Sequence, residues 1–142
     1  MKTIHHVLDI DAPMATVWSA LTERDGLAGW WSTKVDAPPA VVGAEVRFTF
    51  TGDFNPVMAI TELHEGRLLR WRCVRGHDPW QDSTFRFELA LDDNRRTRLR
   101  FWQEYALELA DDHYGVYNFN WGYYLESLRM LTSAGAGKPF LA

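Results

Sequence analysis

Residues that could act as an acid, a base or a nucleophile are scattered along this chain. Asp111, Asp112 and His113 stand just before a long segment of helical periodicity, where they predict helix capping and a favourable interaction with the helix dipole. His113 and Glu104 are candidate acids or bases, but catalysis needs a nucleophile beside its base or two carboxylates facing one site. The sequence contains no G-x-S-x-G motif, P-loop or dinucleotide-binding glycine motif. We therefore predict no catalytic residue.

Residues that could bind a metal are equally sparse. His5 and His6 are neighbours in a predicted strand, so their side chains point to opposite faces. Cys73, His77 and Asp78 are close in sequence but lack the paired spacing of a structural zinc site. The sequence predicts neither a metal site nor a cofactor.

Aromatic residues are the abundant chemical feature. Seven Trp, five Tyr and eight Phe make up 14% of the chain, which suggests a core with space to line. We expect a pocket in which Gln103 and Tyr105 supply polar groups that need hydrogen-bond partners, with Trp80 at its entrance. An ordinary packed core is the alternative for each residue. The predicted ligand-binding residues are Trp30, Trp31, Phe48, Trp71, Trp80, Phe85, Phe101, Gln103, Tyr105, Trp121 and Tyr124.

The adjacent pair Trp30-Trp31 follows Gly26 and Gly29 in the segment GLAGWW. Successive residues of a helix point about 100° apart, so the two indoles cannot share one direction. We predict that one anchors the core and that the other lines the pocket or its mouth.

The first elements predicted are a strand and two short helices. Residues 4–10 alternate in the manner of a half-buried strand, and Asp11-Ala12-Pro13 marks a helix start. Thr22 followed by Asp25 resembles a capping box and predicts a second short helix. The apolar residues at helical spacing are Met14, Val17, Trp18 and Leu21 in the first helix, then Leu27, Trp30 and Trp31 in the second.

Five further strands and a long helix follow. Residues 35–45, with Pro38, Pro39 and Gly43, predict an irregular loop. Alternating apolar residues predict strands near 46–50, 57–63, 69–74, 85–91 and 99–105, joined by turns. Apolar residues at 3–4 spacing predict a helix over residues 114–133.

These elements predict an α+β fold. Short connections make the strands antiparallel neighbours, and only the long helix is large enough to cover their apolar face. We expect a curved six-stranded antiparallel sheet wrapped around the C-terminal helix, with two short helices between strands 1 and 2. Residues 1–142 are expected to form a single domain.

Several segments resemble one known family. They are IDAPMATVWSALTERDGLAGWW (residues 10–31), LLRW (68–71), STFRFEL (83–89), TRLRF (97–101), the positions Trp121, Leu125 and Leu128, and SAGAGKP (133–139). Together they resemble the START-related helix-grip superfamily, also called SRPBCC or Bet v 1-like, and within it the C-terminal domain of the heat-shock-protein-90 ATPase activator. The resemblance implies a deep cavity between sheet and helix. Members use that cavity for lipids, hormones, polyketides and other apolar molecules, some catalyse cyclisation or hydrolysis there, and one branch docks on a chaperone.

Charge and hydropathy exclude other classes of partner. The net charge of −4 disfavours nucleic acid, and no apolar run is long enough to insert into a membrane. The start MKTIHHVLDID lacks a signal peptide's apolar stretch, and the single cysteine suits the cytoplasm. Many arginines are expected on the outer face of the sheet, either solvated beside acidic partners such as Glu88 or forming a basic surface for an acidic protein. They are Arg67, Arg70, Arg72, Arg75, Arg86, Arg95, Arg96, Arg98 and Arg100.

The sequence therefore favours binding of a small apolar or aromatic molecule in a central cavity. A protein-interaction module is one alternative, with a chaperone as the partner that the resemblance implies, or a homodimer if an apolar patch is exposed. An enzyme of the cyclase or hydrolase kind is the other alternative.

Overall fold

A computed structural model describes residues 2–142 of the chain. Its strands are β1 (Thr3–Ile10), β2 (Lys34–Asp36), β3 (Glu45–Thr49), β4 (Val57–His64), β5 (Leu68–Arg75), β6 (Thr84–Leu91) and β7 (Thr97–Glu104). The α-helices are α1 (Met14–Thr22), α2 (Arg24–Trp30) and α3 (Asp111–Ala134), and a short 3₁₀ helix spans Asp78–Trp80. The predicted α+β class is confirmed.

All the strands form one antiparallel sheet in the order β1-β7-β6-β5-β4-β3-β2. The sheet has seven strands, so the predicted count of six is wrong. The additional strand is β2, in which Val35 pairs with Phe48 of β3. Val35 and Asp36 belong to the stretch predicted as loop. Three residues with one apolar side chain are too few to show alternation. Irregular pairing in β4, near Ile60 and Glu62, is of the kind that bends a sheet.

Close packing fixes the two short helices. A Cβ atom on Gly26 would lie 2.4 Å from the Cα of Ala20, so only glycine lets α2 approach α1 this closely. The predicted capping box is wrong, because Thr22 ends α1 and its hydroxyl donates to the carbonyl of Trp18 at 2.8 Å. Helix α2 begins after Glu23 without a side-chain cap.

Helix α3 covers the concave face of the sheet through Trp121, Leu125 and Leu128. It begins at Asp111, earlier than predicted, so Asp111 and Asp112 lie inside its first turn. They complement the positive end of the helix dipole there. The predicted side-chain cap is absent, since Ala110 occupies the cap position.

The two faces of the sheet differ as the alternation predicts. Inward residues such as Trp71, Phe87 and Phe101 are buried against the helices. Five of the nine arginines expected on the outer face form ion pairs, including Arg70 with Glu62 at 2.9 Å and Arg98 with Asp9 at 2.8 Å. Within residues 2–142, no helix has the length and apolar character needed to cross a membrane.

Residues 135–142, here called the strap, run from the end of α3 back across α2. The amide of Phe140 donates to the carbonyl of Trp31 at 2.8 Å, and its carbonyl accepts from the amide of Thr33 at 3.0 Å. Ser127 of α3 joins the layers, because its hydroxyl donates to the carbonyl of Trp30 at 2.9 Å and accepts from the amide of Lys138 at 2.7 Å. The strap thereby brings Phe140 to the concave side of the sheet.

Candidate functional site

Trp30 and Trp31 have different surroundings. Trp30 is fully buried and its indole N–H donates to the carbonyl of Ala20 at 2.8 Å, which ties α2 to α1. Trp31 makes ring contacts with six other aromatic side chains, namely Trp30, Phe48, Phe50, Trp71, Trp80 and Trp121. It is therefore the centre of the aromatic cluster.

Three indoles on different elements lie nearly parallel. The ring centroids of Trp31 and Trp80 are 6.3 Å apart with an interplanar angle of 19°. Those of Trp80 and Trp121 are 6.0 Å apart at 15°, and those of Trp31 and Trp121 are 5.2 Å apart at 28°. The indoles of Trp31, just after α2, of the 3₁₀ helix and of α3 are thus packed on one another with similar orientations.

These indoles border a cavity of about 310 Å³ between α3, the β3–β4 turn, the β5–β6 loop and the strap. Eight of its eleven lining residues carry Trp, Tyr or Phe side chains, and none is lysine or arginine. The lining residues are Trp31, Phe50, Thr51, Phe54, His77, Trp80, Tyr117, Asn120, Trp121, Tyr124 and Phe140. The site is aromatic with a small polar component.

His77 and Tyr117 supply part of that polar component. The His77 Nε2 atom lies 2.8 Å from the Tyr117 hydroxyl, so the β5–β6 loop is hydrogen-bonded to α3. Burial lowers the pKa of His77 in spite of the opposing effect of Asp53 and Asp78. The pKa of Tyr117 is raised by burial and by Asp53. Both side chains are therefore neutral near pH 7.

The predicted ligand-binding residues fall into two groups. Trp31, Trp80, Trp121 and Tyr124 line the cavity. The remaining predicted residues lie outside its lining and are buried in the core, namely Trp30, Phe48, Trp71, Phe85, Phe101, Gln103 and Tyr105.

Gln103 and Tyr105 do not bring polar groups to the cavity wall. The Gln103 side-chain carbonyl accepts a hydrogen bond of 2.7 Å from the indole N–H of Trp121. Tyr105 is fully buried, and burial raises the pKa of its hydroxyl strongly. Gln103 therefore orients a lining residue from behind.

Seven lining residues were not predicted, namely Phe50, Thr51, Phe54, His77, Tyr117, Asn120 and Phe140. Tyr117 belongs to the periodic stripe of α3, and its spacing four residues before Trp121 is the signal that could have found it. Phe50 to Phe54 span a turn, where alternation predicts nothing about direction. Phe140 lies in the strap, which has no periodic pattern.

The candidate acids, bases and metal ligands are dispersed in the structure. Cys73 is buried, and burial raises its pKa to about 11, so it is a thiol near pH 7. His5 stacks on Trp102 outside the cavity, and His113 is exposed on α3. Among residues 2–142, no three His, Cys, Asp or Glu side chains come together in a way that could hold a metal ion.

A sheet gripping one long helix, with two short helices between β1 and β2, defines a helix-grip protein of the SRPBCC superfamily. Residues 11–132 match the family described as activator of Hsp90 ATPase homolog 1-like protein, and the chain belongs to this family. The resemblance inferred from the sequence is therefore confirmed.

Similar solved structures share the fold. The Aha1 dimer from Colwellia psychrerythraea has a TM-score of 0.84 and 29% identity, covering 96% of this chain and 100% of that one. MLL2253 from Mesorhizobium loti has a TM-score of 0.77 and 22% identity, covering 92% and 96%. DynU16 of the dynemicin biosynthetic locus has a TM-score of 0.78 and 18% identity, covering 96% and 49%. The search of curated proteins found no match.

Proposed function

We propose that the protein binds a small planar aromatic molecule in the cavity between α3, the β3–β4 turn, the β5–β6 loop and the strap. The observation that carries this proposal is the predominance of aromatic rings in the lining. Ligand pockets typically range from about 300 to 1,000 Å³, so the volume of about 310 Å³ suits a compact ligand. The free, buried thiol of Cys73 fits a reducing cytoplasm as the place where the protein acts.

Stacking and apolar burial would provide the affinity. The lining is mostly aromatic, and aromatic side chains pack well against a flat ring system. Apolar area removed from water contributes about 25 cal/mol per Å². His77, Tyr117 and Asn120 would orient the ligand through hydrogen bonds, since they are polar lining residues.

Tryptophan fluorescence and thermal unfolding test the proposal. The panel contains flavonoids and polyketide-like aromatics, with sterols and fatty acids as non-planar or flexible comparisons. Three tryptophans line the cavity, so a bound aromatic should change their emission. Ligand at 100 times its Kd should also add about 2.7 kcal/mol to the free energy of unfolding. Absence of a saturable response to any aromatic would contradict the proposal.

Asn120→Trp is expected to block the cavity without unfolding the protein. Asn120 is exposed on α3 yet lines the cavity, so a larger side chain there should fill the ligand's space. Affinity for an aromatic identified in the panel should fall at least about tenfold, measured by titration. Ser133→Trp is the matched control, because Ser133 is exposed on the same helix outside the lining. Equal losses in both variants would argue against this cavity.

We also propose that the protein forms a homodimer through an exposed apolar face of α3. Val116, Phe119 and Tyr123 are 54%, 75% and 48% exposed, and their spacing places them on one side of the helix. None of residues 114–125 is charged, although the chain carries a net charge of −4. A two-fold interface brings the same patch against itself, and an uncharged patch can do so without repulsion. The related Colwellia Aha1 structure is a dimer.

Phe119→Asp is expected to convert the dimer to a monomer, because burying an unpaired carboxylate in an apolar interface is unfavourable. Sedimentation or light scattering measures the mass. Val42→Asp is the control, since Val42 is 62% exposed but lies in the loop between β2 and β3. A dimeric Phe119→Asp variant would exclude this face. A monomeric wild type that binds a purified Hsp90-type chaperone would favour the chaperone-related role.

A further inference from the structure

The cavity is surrounded by an uneven distribution of charge. No lysine or arginine is among its lining residues. Asp53 stands between the lining residues Thr51 and Phe54, which form a bridge across the turn. Asp78 follows the lining residue His77 and begins the 3₁₀ helix that ends at Trp80. The backbone therefore holds two carboxylates beside the aromatic walls.

Neither carboxylate is neutralised by an ion pair within residues 2–142. Both are exposed, in contrast to the many paired acids on the outer face of the sheet. His77 does not offset them near pH 7, because burial keeps its pKa below the ordinary value. The carboxylate of Asp53 therefore acts on the lining residues His77 and Tyr117, that of Asp78 acts on His77, and the lining itself contains no lysine or arginine.

The sign of a ligand's charge should therefore affect its affinity. A carboxylate moved into this aromatic cavity would lose water without gaining a cationic partner, and that transfer is unfavourable. A cation would meet aromatic ring faces, an interaction of about 0.5–2 kcal/mol, and would approach the carboxylates of Asp53 and Asp78. The aromatic walls and the nearby carboxylates therefore both favour binding of a cation over binding of a carboxylate.

We infer that the cavity selects an aromatic organic cation over the carboxylate of the same ring skeleton. The inference rests on the ligand-binding function proposed above and specifies the chemical class of the ligand. This preference distinguishes the cavity from one that binds a fatty acid or an aromatic acid. In such a cavity a lysine or arginine normally donates hydrogen bonds to the ligand's carboxylate.

Three probes with one ring system test the inference, namely tryptamine, 3-ethylindole and indole-3-propionate. They share the indole and a two-carbon chain, and differ in carrying an ammonium, no charge or a carboxylate. Titration calorimetry at pH 7 is suitable, because the probes fluoresce like the protein. Tryptamine should bind about threefold or more tightly than 3-ethylindole, and indole-3-propionate at least about tenfold more weakly than 3-ethylindole.

The outcomes distinguish the two proposals. Binding of 3-ethylindole with no advantage for tryptamine, or with equal affinity for the propionate, would overturn the charge preference and leave aromatic binding intact. If none of the three probes bound, both the proposed aromatic binding and the charge preference would be overturned for indole ligands.

A pair of variants locates the source of the preference. Asp53→Asn should reduce the ratio of tryptamine to 3-ethylindole affinity, and added salt should reduce that ratio in the wild type. Asp93→Asn is the control, because Asp93 is an exposed acid in the β6–β7 turn outside the lining. Equal ratios in wild type and Asp53→Asn, at every salt concentration, would show that Asp53 does not contribute and would contradict the electrostatic argument.

Discussion

Trp31→Ala is expected to lower the free energy of unfolding by about 3–5 kcal/mol. Trp31 is 2% exposed and contacts four other tryptophans and two phenylalanines. Those neighbours belong to the sheet, α2, α3 and the 3₁₀ helix, so they cannot all move together to fill the space. The loss is measured by urea unfolding followed by circular dichroism.

Trp102→Ala is the control for Trp31→Ala. Trp102 is partly exposed on β7, outside the aromatic cluster, with Arg86 over its ring at 3.8 Å and His5 stacked at 4.5 Å. Its loss removes a surface stack and should cost about 1 kcal/mol. Similar losses from the two variants would mean that the environment of Trp31 relaxes freely, contrary to its role as the centre of the cluster.

Gly137→Val is expected to detach the strap and to weaken ligand binding together with stability. A Cβ atom on Gly137 would lie 2.5 Å from the carbonyl oxygen of Gly29 and 2.8 Å from that of Ser127. Both are backbone atoms, so the strap must move, at a cost of about 1–3 kcal/mol. Thermal unfolding measures the stability, and titration with an aromatic ligand measures the damage to the wall containing Phe140.

Gly115→Ala is the control for Gly137→Val, and it is expected to raise the stability that Gly137→Val lowers. A Cβ atom there would meet nothing within 4 Å, and Gly115 lies inside α3. Alanine is favoured over glycine in a helix by about 1 kcal/mol, so this variant should be more stable than the wild type. A Gly137→Val protein with unchanged ligand affinity would show that the strap does not shape the cavity.

The sequence predicts most of the fold because its patterns reflect solvent exposure. Alternation along β5, β6 and β7 follows the two faces of the sheet, and the spacing of Trp121, Leu125 and Leu128 follows the buried side of α3. The sequence does not predict strand β2, because the only buried residue of that strand is Val35. Its pairing depends on β3, which is a tertiary effect.

The cavity is harder to predict than the core. The alternation correctly predicts that Phe85 and Phe101 point inward. It does not predict which inward residues line a cavity and which pack against a helix. Gln103 illustrates the difficulty, since it points inward but its side-chain carbonyl accepts from the indole N–H of Trp121 and does not reach the cavity. Phe54 and Phe140 reach the lining from a turn and from the strap, where chain direction is set by distant contacts.

The strap also has a consequence for how occupancy would be communicated through the protein. Phe140 contributes its side chain to the cavity wall while its backbone groups bond to Trp31 and Thr33. A ligand that contacts Phe140 would therefore favour the docked strap, and by linkage any contact that holds the strap docked would raise ligand affinity by the same factor. Slower hydrogen exchange at the Phe140 amide would report an occupied cavity. Docking of the strap and binding of the proposed ligand would then stabilise each other.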